Sequence, residues 1–303
     1  FYRERTNPDD PEQVWAVDHW EPLQVHEEVI KIRGQEDRLI RTRSSRHGPI
    51  INDLPGSMER QPVSLFWSFL DPDSDSTRAF YGFTRATSMS EFEAAAALHG
   101  APGLNLLYAD VDNNIAMWAI GKLKRWPQSS NGFSLLNGGS GRDDFLGYQP
   151  FENNPRIINP RDGILFSTNN PYPERNPRRK LPGYYAPTDR AQRLEQLLAS
   201  KDQFDLSDFK AFQLDDQRPV ALSMVADALP LLDAEQLPED LREPAAAAAA
   251  LLASWDGRYA QDSAAASIFQ RWQDALSEAL FADELGPRYS FFRNTFMAEK
   301  TLA

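Results

Sequence analysis

Cysteine is absent from this chain, which excludes disulfides, thiolate metal sites and a cysteine nucleophile. Long apolar runs are absent too. None approaches the length needed to cross a bilayer, so no transmembrane helix is expected. Positive charge is scarce: 44 acidic against 32 basic residues give a formal net charge of −12, which argues against binding nucleic acid or an anionic membrane. The four histidines, His19, His26, His47 and His99, form no HExxH or similar pair, so no histidine metal site is expected. There is no GxSxG elbow, and spacing nominates no Ser-His-Asp set. Phe1-Tyr2-Arg3-Glu4-Arg5 has no initiator Met and no signal-peptide character; it reads as mid-strand, and the chain is expected to be an internal piece of a longer precursor. What the chain does have is material for a large core. Seven Trp, nine Tyr and 18 Phe in 303 residues, with 41% hydrophobic and 25% charged overall, suit a soluble globular protein of one large or two smaller domains.

The texture changes along the chain. Residues 1–188 read as β-rich and residues 189–303 as mainly helical. Val25–Ile32 and Arg38–Arg43 flank a Gly34-bearing turn and form a hairpin. Val63–Leu70 is a dense apolar and aromatic run, expected to be deeply buried. The Asp71–Ser76 loop is acidic but lacks the glycine and glutamate of an EF-hand. Ser90–Leu98 reads as a helix capped by Ser88 or Ser90. Gly103–Val111 is expected to be a buried strand, turning at Asp112-Asn113-Asn114 into Ile115–Ile120. The glycine-rich loop Asn137–Gly141 precedes no GK[ST] and no helix signal, so it is not a phosphate cradle. Further on, Arg190–Leu198, Leu206–Leu214 and Val220–Leu232 have helical periodicity. A helix is expected to start at Pro244, to run through Ala245–Leu252 and to stop at Trp255-Asp256-Gly257; another covers Ser263–Phe281.

The most informative stretch is Pro150–Pro171, rich in Asn and Pro and ending on the short apolar segment before Asn169-Asn170. A strand that delivers two neutral amides into a turn can place a hydrogen-bond donor where an oxyanion forms. The same residues are also an ordinary strand end. Taken by themselves, the residues allow both readings. His47, between two strand-like arms, reads as a satisfied turn residue or a base. Arg190 sits in the first turn of a helix, where the dipole disfavours a cation, so it needs a carboxylate or substrate partner. The clusters Arg41/Arg43/Arg46 and Arg175/Arg178/Arg179/Lys180 read as solvated faces or local ion pairs.

Taken in order, these blocks resemble the β-subunit of the penicillin acylase family of N-terminal-nucleophile amidohydrolases. His47-Gly48-Pro49-Ile50 is similar to the family's HGP block. Asn105 to Ile115 (NLLYADVDNNI) resembles its N-x-x-YAD-x-x-G-N-I hairpin, with Asn113 where glycine is usual. Pro150-Phe151-Glu152-Asn153-Asn154-Pro155, Asn159-Pro160, Gly163 and Asn169-Asn170 match its Asn-Pro block. Asp189-Arg190 before a leucine-rich helix fits as well, as does Trp255-Asp256-Gly257 before an IFxxW helix. The resemblance covers most of the chain.

The resemblance implies an α+β chain carrying part of the αββα N-terminal-nucleophile fold, with antiparallel sheets and a helical C-terminal region. The activity it implies is cleavage of the linear amide of N-acyl compounds such as β-lactam side chains or acyl-homoserine lactones. Asn169 would donate its side-chain N–H to the oxyanion, Arg190 would hold the active-site network, and Leu104 would line the acyl pocket. The nucleophile, a serine freed by autoproteolysis whose own amine acts as base, is not Phe1 and would lie outside this chain. The partners implied are the small-molecule substrate, an α-subunit and the N-terminal part of the β-subunit. No cofactor is implied for the chemistry, a structural calcium can belong to the parent, and the setting would be periplasmic or secreted. Two other readings stand beside this one: a non-catalytic homologue that binds N-acyl ligands or a protein partner, and an unrelated acidic binding domain. The last would be favoured if Asn169 and Arg190 lay far apart.

Overall fold

The computed structural model describes residues 1–53, 61–71, 73–127, 134–172 and 185–302. The chain divides into two compact units, Phe1–Phe166 with Tyr172–Gly183, and Ser167–Pro171 with Tyr184–Ala303. The basic cluster Arg175/Arg178/Arg179/Lys180 falls outside the described residues.

The first unit is strand-rich. In chain order it contains β1 (Tyr2–Arg3), β2 (Gln13–Ala16), β3 (His19–Pro22), β4 (Gln24–Ile30), β5 (Arg38–Ser45), β6 (Gly48–Pro49) and β7 (Val63–Ser64). The helices α1 (Ser76–Phe83) and α2 (Met89–Ala96) follow, then β8 (Leu104–Ala109), β9 (Ile115–Ile120), β10 (Leu136–Asn137) and β11 (Arg156–Ile158). These strands form small sheets in the orders β10-β1-β7, β11-β9-β8, β4-β5-β6 and β2-β3. Tyr2 pairs in parallel with Leu136 and antiparallel with Ser64. One sheet is therefore mixed, which corrects the expectation of antiparallel sheets throughout. A parallel pair needs a long connection, and the chain between residues 3 and 136 supplies one.

β9 is the centre of its sheet. Ala116, Trp118 and Ile120 are buried and pack with Phe83, Phe92, Leu106 and Tyr108, while Met117 and Ala119 meet Tyr172 on the other face. This is the period-two alternation of a strand buried on both sides. β8 is its edge neighbour. Leu104 and Leu107 are exposed, so the expected buried strand is half-open, with Leu106 and Tyr108 alone packed into the core cluster. α1 and α2 pack closely because a Cβ on Gly82 would meet Ala95 Cβ at 2.7 Å. Asp75 caps α1 through the Arg78 N–H, and Ser88 caps α2 through the Glu91 N–H. The Asp71–Ser76 loop thus leads into a helix that its acidic composition did not announce.

The run Val63–Leu70 is not deeply buried. Val63 and Ser64 are, but Trp67, Phe69 and Leu70 are exposed. After β7 the chain bends into a 3-10 turn at Ser68–Leu70, and Trp67 and Phe69 lie against each other at 5.2 Å between ring centroids. The expected hairpin forms as β4–β5, with Val25 opposite Arg43 and Ile30 opposite Arg38.

The second unit is helical, with α3 (Asp189–Leu198), α4 (Leu206–Gln213), α5 (Pro219–Ala228), α6 (Glu239–Ala253) and α7 (Ala264–Leu285) followed by shorter helices. Its core is Ala221, Val225, Trp255, Ala265, Ala266 and Phe269. Asp205 and Asp208 form a capping box on α4, and Ser263 caps α7. α6 begins at Glu239, so Pro244 lies inside it and does not start it. The acidic pair Glu239 and Asp240 in the first turn suits the helix dipole. Beyond α6, Trp255 Nε1 donates to Arg258 O at 2.9 Å. Gly257 there adopts φ +81°, and a Cβ at that position would meet Leu222 Cγ at 2.9 Å. Among the described residues no helix is long and apolar enough to cross a membrane.

Candidate active site

Asn169 and Arg190 meet within the helical unit. The segment before Asn169 is irregular, not the strand expected, because the strand of the Asn-Pro block is β11, whose hydrogen bonds go to β9. Asn169 itself sits at φ +64°, a left-handed conformation that Asn tolerates better than most side chains. Its backbone O accepts the Ala186 N–H at 3.0 Å. Arg190, in the first turn of α3, turns back onto this bend. Its Nη2 donates to Thr168 O at 2.6 Å and to Asn169 Oδ1 at 2.9 Å.

This geometry fixes the carboxamide. A guanidinium can only donate, so the Asn169 atom it meets must be the oxygen. The Nδ2 donors therefore point elsewhere, and among the described residues they make no hydrogen bond. Asn170 differs. Its Oδ1 accepts both the Thr168 N–H at 3.0 Å and the Thr168 hydroxyl at 3.1 Å, and its Nδ2 donates to Pro171 O at 3.3 Å. Of the two neighbouring amides, Asn170 builds the bend and Asn169 presents a donor. Among the described residues the Arg190 guanidinium pairs with no carboxylate. Its described partners are two neutral oxygens.

Beside the pair lies a cavity of about 560 Å³ lined by Thr168, Arg190, Arg193, Asp215, Arg218 and Tyr259, among others. Its charges are largely paired. Arg193 grips Asp215 with Nε and Nη2, both at 2.7 Å. That hydrogen bonding, working against desolvation, lowers the Asp215 carboxyl below its ordinary range and raises Arg193.

Leu104 belongs to the strand-rich unit. It opens β8 opposite Ile120 and is 39% exposed, on the same face as Leu106 and Tyr108 by strand alternation. His47 is in that unit as well and is a satisfied, buried residue. Its Nδ1 lies 2.9 Å from Glu4 Oε1 and its Nε2 3.2 Å from Asp144 Oδ1. Its ring stacks on Tyr2 at 3.8 Å. Burial alone would raise the Glu4 carboxyl, yet hydrogen bonds from His47, Ser64 and Ser45 outweigh it and hold Glu4 below its ordinary value. Sequence reasoning missed this network; a mid-strand Glu flanked by cations gives no sign that it is buried. Asn154 lies at a bend just before β11. Asn154 is 4% exposed, and its Nδ2 clasps Ala119 O at 2.9 Å and Gly121 O at 3.0 Å. Of the basic residues at 41, 43 and 46, Arg43 pairs with Asp53 and Arg46 with Asp144. Among the described residues no group of three or more His, Asp and Glu is placed to hold a metal ion.

In fold, the chain is similar to the thermostable penicillin G acylase from Alcaligenes faecalis, with a TM-score of 0.76 over 95% of this chain and 52% of that one at 23% identity. This makes it an α+β protein of mixed sheets and a helical C-terminal region. The sequence profile of the penicillin amidase family matches residues 1–302, and the chain belongs to that family. Among curated relatives, the acyl-homoserine lactone acylase QuiP of Pseudomonas fluorescens is 27% identical over 94% of this chain and 36% of its own length. The penicillin acylase 2 proenzyme of Pseudomonas sp. is 28% identical over 87% of this chain and 33% of its own length. The chain thus spans about a third of the length of the curated relatives it matches. An unrelated acidic binding domain is excluded by this membership.

Proposed function

We propose that the protein carrying this chain hydrolyses the linear amide of N-acyl compounds, with Asn169 donating Nδ2–H to the tetrahedral oxyanion and Arg190 orienting it. The observation that carries this reading is the 2.9 Å bond from Arg190 Nη2 to Asn169 Oδ1. A neutral carboxamide held by its oxygen presents its N–H groups without reorganising when charge develops, which is what oxyanion stabilisation requires. The names of the relatives point to two substrate classes, acyl-homoserine lactones and penicillins. Leu104, apolar and partly open, would contribute to an acyl pocket.

In this reading the chain carries the stabilising half of an αββα N-terminal-nucleophile site. The attacking serine, whose own amine is the base, comes from polypeptide outside it, as does the α-subunit; the protein would act in the periplasm or outside the cell. The test is release of free amine from N-acyl substrates by the complete protein. Asn169→Ala should lower kcat by roughly a hundredfold or more with folding retained. Near-normal turnover in that variant would remove Asn169 from the mechanism, and no turnover by the unmodified protein would favour a non-catalytic binder of N-acyl ligands.

A further inference from the structure

We propose that the ion pair between Asp189 and Arg218 is a positioning device that aims Arg190, and through it the Asn169 carboxamide; this rests on the oxyanion reading above. α3 starts without a side-chain cap, because Thr188 is already helical at φ −80° and ψ −8° and makes no cap bond. Asp189 organises that first turn from within. Its Oδ1 accepts the Arg190 N–H at 2.9 Å, and its Oδ2 accepts Arg218 Nε at 3.1 Å. Both side chains are only 15% exposed, so the pair is shielded from much of the screening that weakens surface pairs.

Arg218 is itself anchored on three sides. It immediately precedes α5, its N–H donates to Gly257 O at 2.9 Å, and its Nη1 reaches Gln273 Oε1 on α7 at 3.4 Å. Gln273 is 3% exposed. The rigidity of the helical core is thereby passed to the peptide unit that carries Arg190. Electrostatics favours the same arrangement. The N-termini of α3 and α5 and the guanidiniums of Arg190 and Arg218 all bring positive charge to this corner, and the Asp215 carboxylate is taken up by Arg193. Asp189 at the first helical position offsets the α3 dipole that would otherwise oppose Arg190. Arg190 places two bonds through a single nitrogen, so a small displacement of its backbone forfeits one of them. Displacements of about an ångström are costly in catalysis.

The test uses the complete protein, with Arg218→Gln and Asp189→Asn made both in the wild-type background and with Asn169→Ala. In the wild-type background each should lower kcat about tenfold with KM changed less than about twofold. Combined with Asn169→Ala they should cost little further, because the group they aim is gone. Equal losses in both backgrounds would show a purely structural link and overturn the proposal, as would unchanged kcat in the single variants. If Arg218→Gln does not fold, Arg218→Lys keeps the cation but loses the forked grip and is read in the same way. Full turnover by Asn169→Ala would instead sink the oxyanion reading, and no turnover by the unmodified protein would sink both; these outcomes are distinct from failure of the positioning claim alone.

Discussion

Asn169 and Asn170 share one side chain chemistry, and their partners give them opposite tasks. Asn170 Oδ1 closes the bend on Thr168, whereas Asn169 Oδ1 is held by Arg190 and its amino group makes no hydrogen bond among the described residues. Asn154 is a third case, where both donors are spent on backbone carbonyls beside β9. Its Oδ1 accepts from Gln149 Nε2 at 3.0 Å, so the whole carboxamide is satisfied while buried. Asn154→Asp would set a carboxylate against Ala119 O and Gly121 O in a site that is 4% exposed. An uncompensated charge there should destabilise the strand-rich unit by about 3 kcal/mol or more. Urea denaturation followed by tryptophan fluorescence would register this through Trp118, which is fully buried in the same strand. An unchanged midpoint would show that the clasp contributes nothing.

Between elements, the pair Arg193–Asp215 joins α3 to the turn after α4 with two bonds at 2.7 Å. The fold favours the ionised form of Asp215, whose pKa lies below its ordinary value chiefly through the Arg193 hydrogen bond. Its contribution is therefore complete above the unfolded value of about 3.9 and is lost as pH falls through the lower native one. Asp215→Asn should destabilise the helical unit by about 2 kcal/mol at pH 7, and the gap from wild type should narrow below about pH 4. Thermal unfolding across pH 3–7 would check it; a gap that stays constant in acid would exclude the assigned role of the carboxylate. Most helices were legible because apolar spacing and caps repeat locally, as at Ser88 and Ser263, whereas α1 and the start of α6 were not. The β4–β5 hairpin was legible from alternation and Gly34. Burial was not. Val63–Leu70 and β8 are apolar enough for a core, but which face is covered depends on partners distant in sequence. The meeting of Asn169 with Arg190 has the same character. Twenty-one residues separate them, and only the order of the motifs, not any local spacing, pointed to it.

At the scale of the molecule, apolar surface is left open in places where a folded unit ordinarily closes it. The β4–β5 hairpin is exposed on both faces: Val25, Val29 and Leu39 lie open on one, Ile30 and Ile40 on the other. A two-stranded ribbon buried on neither face is marginal by itself. Among the described residues the order β4-β5-β6 leaves β4 outermost, and the backbone groups of such an edge can template another strand. Trp67, Phe69 and Leu70 add a second open apolar group in the same unit. The net charge of −12 opposes close approach of copies at low salt, and that opposition weakens as the Debye length shrinks from about 30 Å at 0.01 M to about 8 Å at 0.15 M. The chain expressed alone should therefore self-associate more as salt rises, where a charge-driven contact would dissociate. Sedimentation velocity between 10 and 150 mM NaCl would show it as a growing weight-average mass. Val29→Lys with Leu39→Lys, which sit opposite each other on one face of the ribbon, should suppress the effect without altering the helical unit. Salt-independent monomers in the parent sequence, or equal association in the double variant, would mean that the hairpin is not the surface through which copies meet.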